Sequence, residues 1–192
     1  MQDFLFYLKL GWEHIISLDA LDHQLFVLVL VAVFGLKDWK KILWLVTAFT
    51  IGHSITLAMS VLDLLRVPGT WVEFLIPVTI FITATDNILM RNRPKNLMQM
   101  NYYLALFFGL IHGMGFANTA RVMMSEEQNI FWPLLGFNIG LELGQIVVVA
   151  IILAVLFILV DLFKVSRKDW VMFVSSAVFA LSLQMLLERI PF

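Results

Sequence analysis

FWPLLGFNIGLELGQIVVVAIILAVLFILV, residues 131–160, decides the fold: thirty residues with no lysine or arginine and one ionisable side chain, Glu142. A helix needs roughly 20 apolar residues to cross the hydrocarbon core of a bilayer. The run therefore predicts a membrane span, either tilted or entered through an interfacial turn at Trp132 and Pro133. Working outward, further apolar runs bounded by charges and turn residues lie near 20–36, 42–65, 71–90, 101–121 and 170–187. Composition agrees. The 192 residues are 61% hydrophobic and 14% charged with a mean hydropathy of +0.91, far more apolar than a soluble domain of this size requires. The expectation is an all-α, polytopic transmembrane helical bundle, one domain over 1–192 with about six spans and no soluble domain.

The stretch 2–16 is short and aromatic, carries Lys9, and reads as an interfacial helix lying on the membrane, with a seventh span there as the alternative. Loop charges then set the orientation. Lys37, Lys40 and Lys41 follow the first span, Arg91, Arg93 and Lys95 the third, and Lys164, Arg167 and Lys168 the fifth, whereas the opposite side holds only Lys9, Arg66, Arg121 and Arg189. Basic residues concentrate on the cytoplasmic side of membrane proteins, so the odd-numbered loops are expected in the cytoplasm and both termini outside. The opening residues lack the basic stretch and small-residue cleavage site of a signal peptide, and no cleaved leader is expected. The expected location is the bacterial inner membrane.

Several function classes drop out. With no cysteine there is no disulfide framework, thiolate metal site or thiol nucleophile. A net charge of −1, with basic residues in small clusters, argues against nucleic acid and against a polybasic lipid-binding surface. No nucleotide-binding loop is present, so hydrolysis of ATP by this chain is not expected. The ten methionines read as packing and lipid-facing residues rather than as a copper(I) relay.

Ionisable side chains inside a membrane cost a few kcal/mol at least (about 2.5–3.5 by insertion scales), so each needs a partner, water or a ligand. Asp19, Asp22 and His23 are spaced i, i+3, i+4 and share one helical face near the outer boundary. Asp19 and Asp22 could cap that helix, but a cap does not require His23. His53 lies mid-span between Gly52 and Ser54, and His112 lies mid-span in GLIHGMGFA. One buried histidine is more often a packing residue than a ligand. Two at one depth, in a bundle that also holds Asp22, His23 and Glu142, point to a shared metal site. Asn138, Glu142 and Gln145 form one polar stripe at i, i+4, i+7 that must face the bundle interior. Glu73 near the outer edge, and Asp86 with Asn87 near the cytoplasmic edge, read equally as helix-end residues or as capture and release ligands. Glu13 and His14 precede the first span. On one regular helix His14 would face about 180° away from His23, so a shared site requires a break around Ser17 to Ala20. A separate outer capture site is the alternative. Imidazole with carboxylate and no thiolate suits borderline divalent ions such as nickel, cobalt, zinc or copper(II). A faint internal echo links FTIGHSITL with FFGLIHGMGF.

In order along the chain, GWEHI, DHQLFVL, AFTIGHSITL, VEFLIPVTIFITATDN, FGLIHGMGFA and FNIGLELGQ resemble the HupE/UreJ family of hydrogenase- and urease-associated membrane proteins over nearly the whole length. The resemblance implies a nickel or cobalt permease serving metalloenzyme maturation. It puts metal-motif roles on His14, Asp22 and His23, with His53, His112 and Glu142 in the other shared motifs. The spacing from His14 to the Asp-His pair is two residues longer than is usual in the family, and a family glycine between them is missing. Two residues turn a helix by about 200°, which would carry His14 away from the pair.

Three functions follow. The first is a permease or facilitator for a divalent metal ion (nickel, cobalt or zinc), with the ion met by His14, Asp22, His23, His53, His112 and Glu142. Glu13, Asp19, Glu73, Asp86, Asn138 and Gln145 would then line its path. The second is an intramembrane zinc hydrolase with a three-histidine site and Asp22 or Glu142 as general base. The third is an accessory subunit whose polar residues only lock helices together. The expected partners are the metal ion and the lipid bilayer. No nucleic acid is expected, and no protein partner is indicated.

Overall fold

A computed structural model describes residues 2–17, 20–89, 98–125, 127 and 129–191. Among these residues the chain is helical throughout, with no strand. The helices are α1 (Gln2–Ile16), α2 (Leu21–Val31), α3 (Trp39–Val61), α4 (Gly69–Leu89), α5 (Met98–Gly115), α6 (Ala117–Met123), α7 (Phe131–Leu156) and α8 (Arg167–Glu188). A 3₁₀ turn, Leu36–Asp38, leads into α3, and α7 runs on through a π-helical turn, Phe157–Leu162. Four segments are long and apolar enough to cross a membrane: Leu36–Val61, Gly69–Leu89, Phe131–Leu162 and Arg167–Glu188. Two bent pairs, α1 with α2 at 68° and α5 with α6 at 52°, each qualify jointly, giving up to six. This is a multi-pass membrane protein. The outer face of α7 exposes Leu143, Ile146, Val147, Ile151 and Val155, an apolar strip that bilayer lipid satisfies and water would not.

Two expectations for the N-terminal third change. The first expected span, 20–36, yields only the eleven residues of α2, about 16 Å of rise and half the hydrocarbon core. And Gln2–Ile16 does not stand apart from the bundle as a surface helix would. It runs parallel to α7, with Gly136 against Phe4, Gly140 against Leu8, and Gly144 against Trp12 and Ile15. A methyl group on Gly140 would collide with the Leu8 carbonyl oxygen, and one on Gly11 with the Phe137 carbonyl oxygen. Glycines at four-residue spacing let helix backbones touch in lipid, where van der Waals packing replaces the hydrophobic drive. Lys9 on the exposed side pairs with Glu13 at 3.5 Å, one helical turn away, which leaves the opposite face of α1 free to pack.

The same device joins α3 to α5. Gly52 meets Leu106 and Leu110, Gly109 meets Phe49, and Gly113 meets the His53 carbonyl and the Thr56 hydroxyl. These helices are also parallel, which gives the echo between FTIGHSITL and FFGLIHGMGF a physical sense: His53 and His112 come to one level. At the far end of α2, carbonyls left over by the helix terminus accept from three distant side chains. Asn87 Nδ2 donates to Val29 O, Trp170 Nε1 to Ala32 O and Arg167 Nη2 to Val33 O. The main core gathers Phe26, Ile42, Leu45, Phe49, Ile80 and Val178 between α2, α3, α4 and α8. A second cluster, Tyr7, Ile15, Leu57, Phe137 and Leu141, seals α1 onto α7 and α3.

Candidate metal centre

The centre sits where α1 stops and α2 starts. His14 is in the last turn of α1 and His23 in the first turn of α2. On a continuous helix their Cα atoms would be about 13.5 Å apart along the axis. With the break, the ring centroids are 5.0 Å apart. The 68° bend thus brings His14 to the pair that regular helix geometry would have turned it from. One side chain holds the bend: Gln24 Nε2 donates to Ile15 O at 3.0 Å, Ile16 O at 3.2 Å and Ser17 O at 3.0 Å. Ile15 O and Ile16 O are carbonyls that the end of α1 leaves without helical partners, and Ser17 O accepts from the Ala20 N–H as well, at 3.1 Å.

Asp22 orients His23. Its Oδ1 accepts from the His23 backbone N–H at 2.8 Å and lies 2.8 Å from the His23 ring Nδ1. A carboxylate only accepts, so Nδ1 carries the proton and the Nε2 lone pair is left for something else. Carboxylates holding a histidine by its far nitrogen are the usual outer partners of metal-binding imidazoles. The other oxygen, Oδ2, faces Arg189 Nη1 at 3.5 Å. Asp22 also stands at the N-terminal end of α2, where the helix dipole favours a negative charge.

α3 brings in His53, whose ring lies 6.3 Å from that of His14 and 6.0 Å from that of His23. The ligand atoms of His14, His23 and His53 all lie within 4.8 Å of one another, close enough to hold one metal ion. His112, on α5, places its ring 4.8 Å from His23 and perpendicular to it, beside the triad. His53 and His112 are fully buried and His23 is nearly so. Among the described residues, five buried imidazole nitrogens lack a well-formed hydrogen bond: His14 Nε2, His23 Nε2, His53 Nδ1 and Nε2, and His112 Nδ1, with the Asn138 side chain near His53. Leaving a buried polar atom unmatched costs about 1–3 kcal/mol. A set of adjacent nitrogens left so is what a bound cation would relieve.

Phenylalanines close the layer above and below. Phe26, Phe49 and Phe108 lie one helical turn from His23, His53 and His112, with Phe26 centred 5.2 Å from Phe49 and 5.6 Å from Phe108. On the other side Phe116 and Phe137 stack at 4.9 Å and touch His14 at 4.6 and 5.6 Å.

The other candidate residues lie elsewhere. Glu142 Oε1 accepts from the Thr47 hydroxyl at 2.6 Å, and Gln145 Oε1 from the Thr50 hydroxyl at 2.9 Å, which makes a seam between α7 and α3 outside the triad. Asn138 donates to Leu134 O at 2.8 Å and approaches the His53 ring. Glu13 and Glu73 are exposed, Asp86 is half-buried near the end of α4, and Asp19 is outside the described residues. Sequence reasoning missed Gln24, Arg189, Thr79 and the aromatic rings. A signal for the rings was present, because Phe26, Phe49, Phe108 and Phe116 each fall three or four residues from a histidine.

The family model described as HupE / UreJ protein matches residues 1–189. The chain belongs to the HupE/UreJ family. The HupE/UreJ match takes in every motif that contributes a histidine to the centre, from GWEHI to FGLIHGMGFA. No curated protein and no solved structure matches the chain.

Proposed function

We propose that this HupE/UreJ protein is a membrane permease or facilitator that carries a divalent transition-metal ion, nickel or cobalt, as its substrate through the site of His14, His23 and His53. The observation that carries the reading is the set of unmatched imidazole nitrogens gathered at the break between α1 and α2. Helices broken near mid-membrane are a recurring way for transporters to bind an ion, because irregular backbone is tolerated there only around a cavity or within protein. In this reading α1 and α2 together form one span, running from outside to inside, and both termini are external. Nitrogen donors without thiolate suit nickel and cobalt and disfavour hard cations such as magnesium. The aromatic layers act as dry closures on either side, opening in turn as the ion arrives and leaves.

The hydrolase alternative needs a carboxylate poised over metal-bound water. Asp22 is already engaged by His23 and Arg189, and Glu142 by Thr47. This favours Asp22 as the orienting partner of a ligand rather than as a base. The discriminating experiment is metal analysis of detergent-purified protein before and after a chelator wash, for wild type and for His23→Ala. Nickel or cobalt that binds near one equivalent, exchanges with the wash and is lost in the variant is the expected result. Zinc that survives washing at full stoichiometry would support the hydrolase, and no binding in any sample would leave only the accessory role.

A further inference from the structure

Every histidine of the centre needs its lone pair on the correct nitrogen, and for His112 the choice is made by a residue on another helix. Thr79, on α4 two residues after Pro77, is buried. Its Oγ1 lies 2.7 Å from the Ile76 carbonyl oxygen and 3.2 Å from His112 Nε2. A carbonyl oxygen only accepts, and a hydroxyl has one hydrogen. Thr79 therefore donates to Ile76 and offers His112 only a lone pair, so His112 Nε2 must carry the ring proton. The lone pair is then on Nδ1, which is buried with no partner. The ring bearing it is perpendicular to that of His23 at 4.8 Å, and His23 Nε2 is likewise buried and unmatched.

From this geometry we infer that Thr79 is a positioning residue that fixes His112 in the Nε2–H form and so makes His112 Nδ1 a fourth nitrogen donor of the centre, reached from the triad through His23. The inference rests on the permease reading and deepens it. Two overlapping donor sets share His23, one with His14 and His53 and one with His112, so an ion can pass between them without losing all its ligands at once. Conduction through adjacent moderate sites of this kind avoids the trap that one tight site would create. Gly113 keeps the register, because any side chain there would drive α5 away from the His53 carbonyl and Thr56.

The test has two stages and uses the full chain in lipid nanodiscs. First, nitrogen-15 NMR of the metal-free protein, whose only imidazoles are four histidines, reads the tautomer of His112, with assignment by His112→Gln. The expected result is Nε2–H in wild type and in Thr79→Ser, and a mixed or Nδ1–H state in Thr79→Val, which keeps the side-chain shape and removes the acceptor. An Nδ1–H ring in wild type would overturn the inference, whatever metal does. Second, cobalt(II) titration followed by its visible absorption measures binding. Loss of an outer partner of a ligating histidine typically lowers metal affinity about 10- to 100-fold, and that loss is expected for Thr79→Val with recovery in Thr79→Ser. Wild-type affinity in Thr79→Val, with cobalt bound by the other three histidines, would sink this inference alone. Absence of cobalt binding in wild type would sink the permease reading and this inference with it.

Discussion

The α3–α7 seam and the histidine centre bury polar chemistry in the same bundle, yet the seam pairs side chain with side chain across two helices while the centre leaves its nitrogens open. Across the seam Thr47 donates to Glu142 and Thr50 to Gln145, while Ser54 donates back to the Thr50 carbonyl within α3 at 2.6 Å. Among the described residues of the seam, the Gln145 amide nitrogen and the Asn138 carbonyl are left over. In the centre, His23 and His112 are each held by one nitrogen and leave the other unmatched, while both nitrogens of His53 are unmatched. Hydrogen bonds between membrane helices average about 0.6 kcal/mol, so the seam works as modest glue. The centre does the reverse, keeping donors unsatisfied at a cost to stability. Polar residues inside a membrane thus separate into two kinds by whether their partners lie within the protein, a distinction that residue type and spacing alone do not make.

The comparison breaks most sharply on ligand loss. His23→Ala and His53→Ala are each expected to weaken cobalt or nickel binding by more than the roughly 100-fold ceiling of an outer-partner change, read by equilibrium dialysis. Thermal stability should fall in both, because each Ala leaves a cavity in a buried layer and His23→Ala also removes the ring partner of Asp22. Next in size is Asp22→Asn, which can still accept from the His23 ring but loses the charge. An affinity loss of about 10-fold, the low end for outer partners, is expected in the same assay. Gln24→Ala comes third. Removing the donor to the carbonyls of Ile15, Ile16 and Ser17 should cost about 1 kcal/mol and, by loosening His14, about fivefold in affinity. The smallest effect is expected in the seam. Thr47→Val should leave metal affinity within about twofold and shift unfolding in mixed micelles by about 0.6 kcal/mol. If Thr47→Val or Glu142→Gln instead abolished binding, the two regions would be one site and the division between them wrong.

Much of this arrangement was legible in the chain. The apolar runs locate α3, α4, α7 and α8 closely, because a lipid-spanning helix must be apolar on most of its surface and long enough to cross. All four histidines stand out as polar residues without an obvious role. The position of α1 was not legible from its own composition, since Lys9 and Glu13 make it read as a surface helix. The information lay in its partner: Gly136, Gly140 and Gly144 on α7 cut a groove in which α1 fits. The role of Gln24 was hidden for another reason. A single glutamine after an Asp-His pair carries no periodic signal, and its function appears only once the chain has bent back on itself. Thr79 was hidden likewise, because its meaning depends on a contact 33 residues along the chain.

The central claim, that the nitrogens at the α1–α2 break carry an ion across the membrane, is tested most directly by flux. Purified protein in proteoliposomes loaded with a metal-sensitive dye would be exposed to external nickel or cobalt, beside His23→Ala and empty liposomes. Saturable entry in wild type, reduced to the empty-liposome rate in His23→Ala, is the expected result. Entry at the empty-liposome rate in wild type, from protein shown to bind the ion, would contradict transport and leave a centre that holds metal without moving it.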